Sequence, residues 1–363
     1  MIKRLIIGLT VLLLVFVMGL PVSTVSAQQD RLTVIATHSI LADVVQNVAG
    51  DAADVTSLLP LNADPHSYTP TPGELVALAE ADVVFVNGAF FEEGLLEGIE
   101  NAAEDITIVG ASRCVEILSF GHHEDDEHMD EDHEEHTDGP CEAHHEQARI
   151  THNEESLGLL TDLDCGEGHE HEEEEEHEED EEHEHEEGSC DPHVWMNPEN
   201  VVLWTLTIRD TLSELDPANA QVYVQNAATY ITQLIDLQTD LETLVQSVPQ
   251  ENRVLVTSHD SLGYFAARYS FEVVGVVIPG GSTVAEPSAQ DIVSLIDEIE
   301  EHGVPAIFAE TTIAPGLVEQ VAGESGASVL TLYSGSLSDA NGPASTYLDY
   351  MRYNVRTIVD GLD

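Results

Sequence analysis

The second half of the chain contains an uninterrupted helical stretch that limits the folds the chain can adopt. It begins near Asp216-Pro217, contains no glycine or proline between Ala218 and Val248, and carries apolar residues at helical spacing. A helix of about 30 residues is roughly 45 Å long, which is enough to join two lobes. The sequence therefore predicts a stiff linker helix over residues 216–248, with a folded unit on each side.

Both flanks of this helix alternate strand-like apolar runs with helix-like stretches. Strands are predicted at residues 32–37, 54–59, 82–86, 106–109, 253–257, 273–278, 305–309 and 329–332. Helices are predicted at residues 40–48 with Ser39 as the cap, 71–81, 90–103, 197–215, 262–269, 287–301 and 347–362. Such alternation is typical of mostly parallel sheets covered on both faces. The predicted fold class is α/β, with two lobes of mostly parallel sheet joined by one long rigid helix. The lobes are placed at residues 28–215 and 249–363.

The N-terminus has the pattern of an export signal. Lys3 and Arg4 precede an apolar run over residues 5–20, and Val25-Ser26-Ala27 supplies a small-x-small cleavage motif. An uncleaved membrane anchor is the alternative, but the run is short for a span and is followed by Pro21. We expect a signal peptide at residues 1–27 and an exported protein, in a periplasm or on the outer face of the cytoplasmic membrane.

The charge of the chain is concentrated in one tract. Residues 122–187 hold 31 acidic residues, 13 histidines and one arginine, within a chain of formal net charge −60. This composition predicts a disordered insertion in the N-terminal lobe. Its histidines could bind several zinc ions weakly, or the tract could simply be a solvated loop that concentrates cations. The acidic charge argues against nucleic acid as a partner.

The four cysteines all lie in or beside this tract. They are Cys114, Cys141, Cys165 and Cys190. An even number of cysteines in an exported protein suggests disulfides. Three pairings are possible and the sequence does not choose among them; Cys114 with Cys190 and Cys141 with Cys165 is one. The cysteine spacings match no zinc-finger pattern.

Two short motifs single out histidines that could bind a metal. Outside the acidic tract the only histidines are His38, His66, His193, His259 and His302. Both His66 and His193 lie in an Asp-Pro-His-x-aromatic motif, and His259 ends a predicted strand. Any one of them alone would be an ordinary loop or capping residue. Three imidazoles at loops and strand ends, completed by one oxygen, would form a tetrahedral zinc site. His38 is interpreted as part of the cleft wall and His302 as an exposed residue.

Longer stretches around these histidines resemble a known family. The matching stretches are Thr37-His38-Ser39-Ile40-Leu41-Ala42-Asp43, Ala63-Asp64-Pro65-His66-Ser67-Tyr68, Asp191-Pro192-His193-Val194-Trp195-Met196-Asn197, Thr257-Ser258-His259 and Thr346-Tyr347-Leu348-Asp349-Tyr350-Met351-Arg352-Tyr353-Asn354. Together they are similar to the zinc/manganese solute-binding proteins of ABC transporters, the TroA-like family that includes the ZnuA type of zinc uptake. The resemblance covers nearly the whole mature chain. It implies two α/β lobes joined by a long rigid helix, with a metal site in the cleft between them.

The same resemblance implies the ligands. The family's histidines carry over to His66, His193 and His259, and a histidine rather than a glutamate at the third position favours Zn²⁺ over manganese. The family's fourth ligand is an aspartate, at a position where this chain has Gly335. Asp339 is the nearest replacement and is predicted as the fourth metal ligand. Water or a residue of the acidic tract could take that place instead, and Glu310 is interpreted as a supporting residue.

These observations favour a binding protein over an enzyme. We expect an extracytoplasmic, monomeric protein that captures Zn²⁺ and delivers it to an ABC-transporter membrane permease. Manganese or iron as the bound metal is the first alternative. A zinc hydrolase is the second, because three histidines and an open fourth position also describe a catalytic site. No His-Glu-x-x-His motif is present to support it. A metal buffer or surface adhesin is the third.

Overall fold

The computed structural model describes residues 31–89, 91–92, 95, 99, 106–119, 190–279, 283 and 287–362. The predicted signal peptide, the acidic tract at 122–187 and most of a helix predicted at 90–103 lie outside these residues. The chain divides into the units Met1–Arg31 and Leu32–Asp363, and all described elements belong to the second. None of the described helices is both long enough and apolar enough to span a membrane.

The first sheet is parallel and has the strand order β2-β1-β3-β4. Its strands are β1 (Leu32–Ala36), β2 (Ala53–Ser57), β3 (Val83–Val86) and β4 (Thr107–Gly110). Every residue of β3 is buried, as expected for an apolar strand inside a sheet that is covered on both faces.

The second sheet repeats this topology, with the order β6-β5-β7-β8 and all strands parallel. Its strands are β5 (Val254–His259), β6 (Glu272–Ile278), β7 (Ala306–Glu310) and β8 (Ser328–Leu332). Strand β5 pairs with β7 through Val256 opposite Ile307 and Thr257 opposite Phe308. His259 and Glu310 therefore end adjacent strands at the same edge, where open parallel sheets usually hold their ligands.

The helices surround and connect the two sheets. They are α1 (Ser39–Ala49), α2 (Pro72–Ala79), α3 (Pro198–Leu215), α4 (Ala220–Val245), α5 (Gly263–Tyr269), α6 (Ala289–His302), α7 (Gly316–Ser325) and α8 (Tyr347–Leu362). Side chains fix several helix starts: Thr71 and Ser288 form capping boxes, and Asn197 caps α3.

Helix α4 is the long helix that the sequence predicts, but it is shorter than 216–248. Its 26 residues pack against α1, α3 and α8, and so against elements that flank both sheets. Its start is delayed because the Asp216 carboxylate accepts hydrogen bonds from the Asn219 amide and the Tyr223 hydroxyl, which hold residues 216–219 in a turn. The role of α4 as a rigid linker, and the lobe boundaries, stay predictions.

The α/β fold class with two mostly parallel sheets is confirmed, and two local predictions are corrected. Ser39 was expected to cap α1, but it is the first residue of the helix, and its hydroxyl instead accepts a hydrogen bond from the Leu337 backbone. Helix α7 was not predicted, because Gly316 and Gly323 weaken its helical pattern. Cys114 and Cys190 are buried and neither is a free thiol. Since Cys141 and Cys165 lie outside the described residues, the cysteine pairing stays a prediction.

Candidate metal centre

Three of the four predicted ligands lie together. His66, His193 and His259 each offer a ring nitrogen, and these nitrogens all lie within 4.8 Å of one another. His66 follows β2, His193 precedes α3 and His259 ends β5, so the cluster joins residues from before and after α4. Among the described residues this is the one group of histidine, cysteine and carboxylate side chains with metal-binding spacing.

Asp191 positions the ring of His193. Its Oδ1 accepts a hydrogen bond from the backbone N–H of His193 at 2.9 Å and lies 2.8 Å from the ring Nδ1. Both residues are buried, and burial raises the pKa of Asp191 to about 7 and lowers that of His193 well below its ordinary value. With Nδ1 directed at the carboxylate, Nε2 is the atom left for a metal.

Glu310 positions the ring of His259. Its Oε1 lies 2.6 Å from Nδ1 of His259 and accepts hydrogen bonds from the hydroxyls of Ser258 and Ser261. Burial disfavours the charged forms of His259 and Glu310, but the attraction between the two side chains outweighs the effect of burial. The pKa of His259 is consequently raised, and that of Glu310 is lowered to about 2. This carboxylate–imidazole arrangement fixes the orientation of metal-binding histidines.

The two buried imidazoles face each other through their Nε2 atoms, 3.2 Å apart. When both imidazoles are neutral and each Nδ1–H donates to its carboxylate, both Nε2 atoms carry a lone pair and neither carries a proton. Two facing lone pairs at this distance repel each other unless a cation or a proton lies between them. The geometry therefore suits a cation held by His193 and His259.

His66 is held in a different way. Its backbone N–H donates to Asp64 Oδ1 at 3.1 Å, so both Asp-Pro-His motifs form the same local turn. The other oxygen of Asp64 accepts from the hydroxyls of Ser67 and Thr283 rather than from the ring. No described residue hydrogen-bonds the His66 ring. Burial, and to a smaller extent the neighbouring imidazoles of His193 and His259, lowers the pKa of His66 to about 3.

Aromatic rings form one wall of the centre. Phe91 packs edge-on against His66, and Trp195 packs edge-on against His193. Behind them His38 contacts Phe91, Trp195 and Trp204 and is almost fully buried, and neither of its ring nitrogens has a hydrogen-bond partner in the described part of the chain. His38 therefore packs behind the wall as part of it, which agrees with its interpretation as a cleft-wall residue and not a ligand.

Asp339 is not brought into the cluster. Its side chain is exposed, and its Oδ1 accepts a hydrogen bond from the backbone N–H of Asn341. Gly335 lies nearer to the centre, since a Cβ added there would meet the ring of Pro65 at 3.0 Å. The prediction of Asp339 as the fourth ligand thus gains no support from its position.

The sequence reasoning missed several residues that support the histidines. They are Ser258, Ser261, Gly263 and Thr283. Ser258 and Ser261 bracket His259 in the sequence, which was the available signal. Gly263 leaves room for Asp191: a Cβ on it would lie 2.5 Å from Asp191 Oδ2. Nothing in the local sequence of Gly263 or Thr283 indicates contacts with residues so distant in the chain.

Comparison with known proteins gives one family and many relatives of similar length. Residues 34–361 match the family described as the periplasmic component A of the zinc-uptake complex. The manganese-binding lipoprotein MntA of Halalkalibacterium halodurans is 29% identical, over 93% of this chain and 90% of that protein. The iron-binding protein YfeA of Yersinia pestis is 28% identical, over 91% and 86%.

The fold is also similar to solved structures. The periplasmic zinc-binding protein TroA from Treponema pallidum superposes with a TM-score of 0.69 at 26% identity, covering 92% of this chain and 99% of that one. With 92% of this chain and 99% of that one covered, the similarity is to a two-lobed α/β fold and is not confined to one lobe.

Proposed function

Because the chain belongs to the family of the periplasmic zinc-uptake component A, it is an extracytoplasmic, metal-binding solute-binding protein of the ABC-transporter class, and we propose that its cargo is Zn²⁺. The proposed ligands are His66, His193 and His259. The observation that carries the proposal is the cluster of three imidazole nitrogens within 4.8 Å of one another. Imidazole suits zinc, whereas manganese favours carboxylate, carbonyl and water ligands.

A manganese or iron cargo is the second candidate, and the names of the relatives favour it. MntA is named for manganese and YfeA for iron, whereas TroA is named for zinc. We prefer zinc because the clustered side chains of this chain are all imidazoles. The buried carboxylates of Asp191 and Glu310 are directed at Nδ1 atoms, where they orient ligands and balance the charge of a cation.

The fourth position is proposed to hold a water molecule. Three imidazoles and one oxygen complete a tetrahedral zinc shell. Asp339 would have to leave its contact with Asn341 and move from the surface to reach the metal. The acidic tract at 122–187 is proposed as an accessory that binds further zinc ions weakly.

The protein is proposed to be a monomeric carrier that passes the metal to a membrane permease, and not an enzyme. Elements from before and after α4 supply the ligands, so movement of one half relative to the other would open the site. A bound water on zinc is also found in hydrolases. Turnover of ester or peptide substrates by the zinc-loaded protein would therefore contradict the carrier role.

The test is a calorimetric titration of the mature protein with Zn²⁺ and with Mn²⁺, repeated on His259→Ala. One tight zinc site per chain is expected, with zinc bound at least about 100-fold more tightly than manganese, following the general order of affinities for divalent metals and the all-imidazole ligand set. His259→Ala should lose the tight site. Equal affinities for the two metals would contradict the zinc assignment, and an unchanged tight site in His259→Ala would contradict the ligand assignment.

A further inference from the structure

The three imidazoles differ in how they are held. His193 and His259 each have a buried carboxylate at Nδ1, with contacts of 2.8 Å and 2.6 Å. The ring of His66 has no such partner among the described residues. Apart from the edge-on contact of Phe91 with the ring, the position of His66 is set through its loop, residues 60–68.

This loop is fastened to the segment that follows β8. The backbone N–H of Asn62 donates to Ser336 Oγ at 2.9 Å, and the buried Ser336 hydroxyl donates to the carbonyl of Leu337 at 3.0 Å. Asn62 is one of the few non-glycine residues with a positive φ, 62°, in the turn closed by Ala63 N–H and Pro60 C=O. Asparagine tolerates this conformation, so the turn can direct its N–H toward Ser336.

A second contact lies next to His66 itself. Gly335 approaches the buried Pro65 so closely that an added Cβ would stand 3.0 Å from Cγ and 3.1 Å from Cδ of the proline ring. The φ of Gly335 is not positive, so glycine is not required there by the backbone. The absence of a side chain instead lets the two loops pack together one residue before the histidine.

We propose that Ser336 and Gly335 are positioning residues for the His66 imidazole. They follow β8 of the second sheet, and they hold in the metal centre a histidine that follows β2 of the first sheet. Two ligands are fixed by carboxylates at their own rings. The third is held through its loop, which contacts the loop after β8 and also accepts a hydrogen bond from Thr283 through Asp64. Separation of these two loops withdraws His66 before the two halves move apart, while carboxylates still hold His193 and His259, so His66 is the first ligand to leave when the metal is released. This inference rests on the proposed metal-binding function.

The test measures zinc dissociation by stopped-flow transfer to a fluorescent chelator. Ser336→Ala removes the acceptor of the Asn62 N–H and should accelerate release about fivefold, the effect of one ordinary hydrogen bond. Ser338→Ala is the matched control and should change the rate less than about twofold. Ser338 is also buried on the same segment, but within the described residues its hydroxyl bonds only to Asp339 and Ala344.

A double-mutant cycle separates positioning from general destabilisation. If Ser336 acts through His66, Ser336→Ala should have no further effect on zinc release in the His66→Ala protein. Gly335→Ala provides a second perturbation that keeps every hydrogen bond. It should accelerate release similarly, whereas Gly316→Ala, with open space around its added Cβ, should not.

Equal release rates in the wild type, Ser336→Ala and Gly335→Ala would overturn the inference, as would an effect of Ser336→Ala that persists without His66. Either result would leave the proposed zinc function standing. Absence of tight zinc binding by the wild-type protein would instead overturn the proposed function.

Discussion

At the scale of single residues, the centre depends on small side chains that make room for larger ones. Gly263 begins α5, and Asp191 lies against it with Oδ2 only 2.5 Å from where a Cβ would stand. The same carboxylate orients His193 through Oδ1. A methyl group at position 263 would therefore act on the metal centre without touching any ligand.

We expect Gly263→Ala to weaken zinc affinity by about tenfold or more, because it displaces Asp191 from the His193 ring, and loss of such supporting contacts typically costs 10–100-fold in affinity. Competition with a chelator of known affinity measures this. Gly323→Ala, on α7 with nothing within 4 Å of its added Cβ, is the control and should bind zinc normally. Normal zinc affinity in Gly263→Ala would show that Asp191 does not orient His193.

The sequence predicts the three clustered histidines and Glu310 as a supporting residue, but not the other contacts that hold the histidine rings. His66 and His193 stand out because histidine is rare outside the acidic tract and the Asp-Pro-His motif occurs twice. The Asp191 carboxylate both turns the backbone before His193 and holds the His193 ring. The partnership of His259 with Glu310 depends on the pairing of β5 with β7, which is a long-range contact that no local pattern encodes.

At the scale of elements, α4 is terminated by a single arginine. Arg253 donates from Nε to Val248 O, from Nη2 to Val245 O and from Nη1 to Tyr269 O, so it binds carbonyls at the ends of both α4 and α5. A cation at this position also interacts favourably with the partial negative charge of a helix C-terminus. One side chain thus fixes the connection from α4 into β5.

Arg253→Ala is expected to lower the free energy of unfolding by about 2 kcal/mol, because three carbonyls lose a charged donor. Arg352→Ala is the comparison: its contact with Asp240 on α4 is an exposed ion pair worth less than about 1 kcal/mol. Urea denaturation followed by circular dichroism measures both. Equal effects of the two substitutions would show that Arg253 is not a specific cap.

The sequence predicts a helix correctly where the spacing of apolar residues and the capping residues agree. A predicted helix boundary is wrong where side-chain hydrogen bonds hold the terminal residues in another conformation. Helix α8 begins and ends where the pattern indicates, at Tyr347 and Leu362, and α3 spans Pro198–Leu215 as expected. Helix α4 begins at Ala220 and not at the predicted residue 216, because the Asp216 carboxylate accepts hydrogen bonds from Asn219 and Tyr223. Helix α7 was missed because two glycines obscure its helical pattern.

At the scale of the whole molecule, the two halves meet along α1 and α8 as well as at the metal centre. The Asp43 carboxylate on α1 accepts the backbone N–H of Tyr347, the first residue of α8, at 3.0 Å. Burial, with a contribution from Asp349, raises the pKa of Asp43 to about 6, although the Tyr347 N–H acts in the opposite direction. This junction therefore couples stability to pH.

Since the pKa of Asp43 is higher in the folded protein than its ordinary value of 3.8, folding favours the protonated carboxyl. The stability that the protonated Asp43 carboxyl contributes is fully present below pH 3.8 and is lost as pH rises through about 6. We expect Asp43→Asn, which keeps an acceptor oxygen, to gain stability relative to the wild type between pH 4 and pH 7, by at most roughly 3 kcal/mol. Paired urea titrations across this range measure the difference. A difference that is independent of pH would contradict the raised pKa.

Anomalous diffraction at the zinc edge would show whether three imidazoles hold zinc between the two sheets. The crystals should contain zinc-loaded protein that lacks residues 122–187. We expect one strong peak, bonded at about 2.0–2.1 Å to Nε2 of His193 and of His259 and to the ring of His66, with one oxygen completing a tetrahedron. A peak bonded to fewer than three of these imidazoles, or loss of bound zinc after removal of the acidic tract, would contradict this expectation.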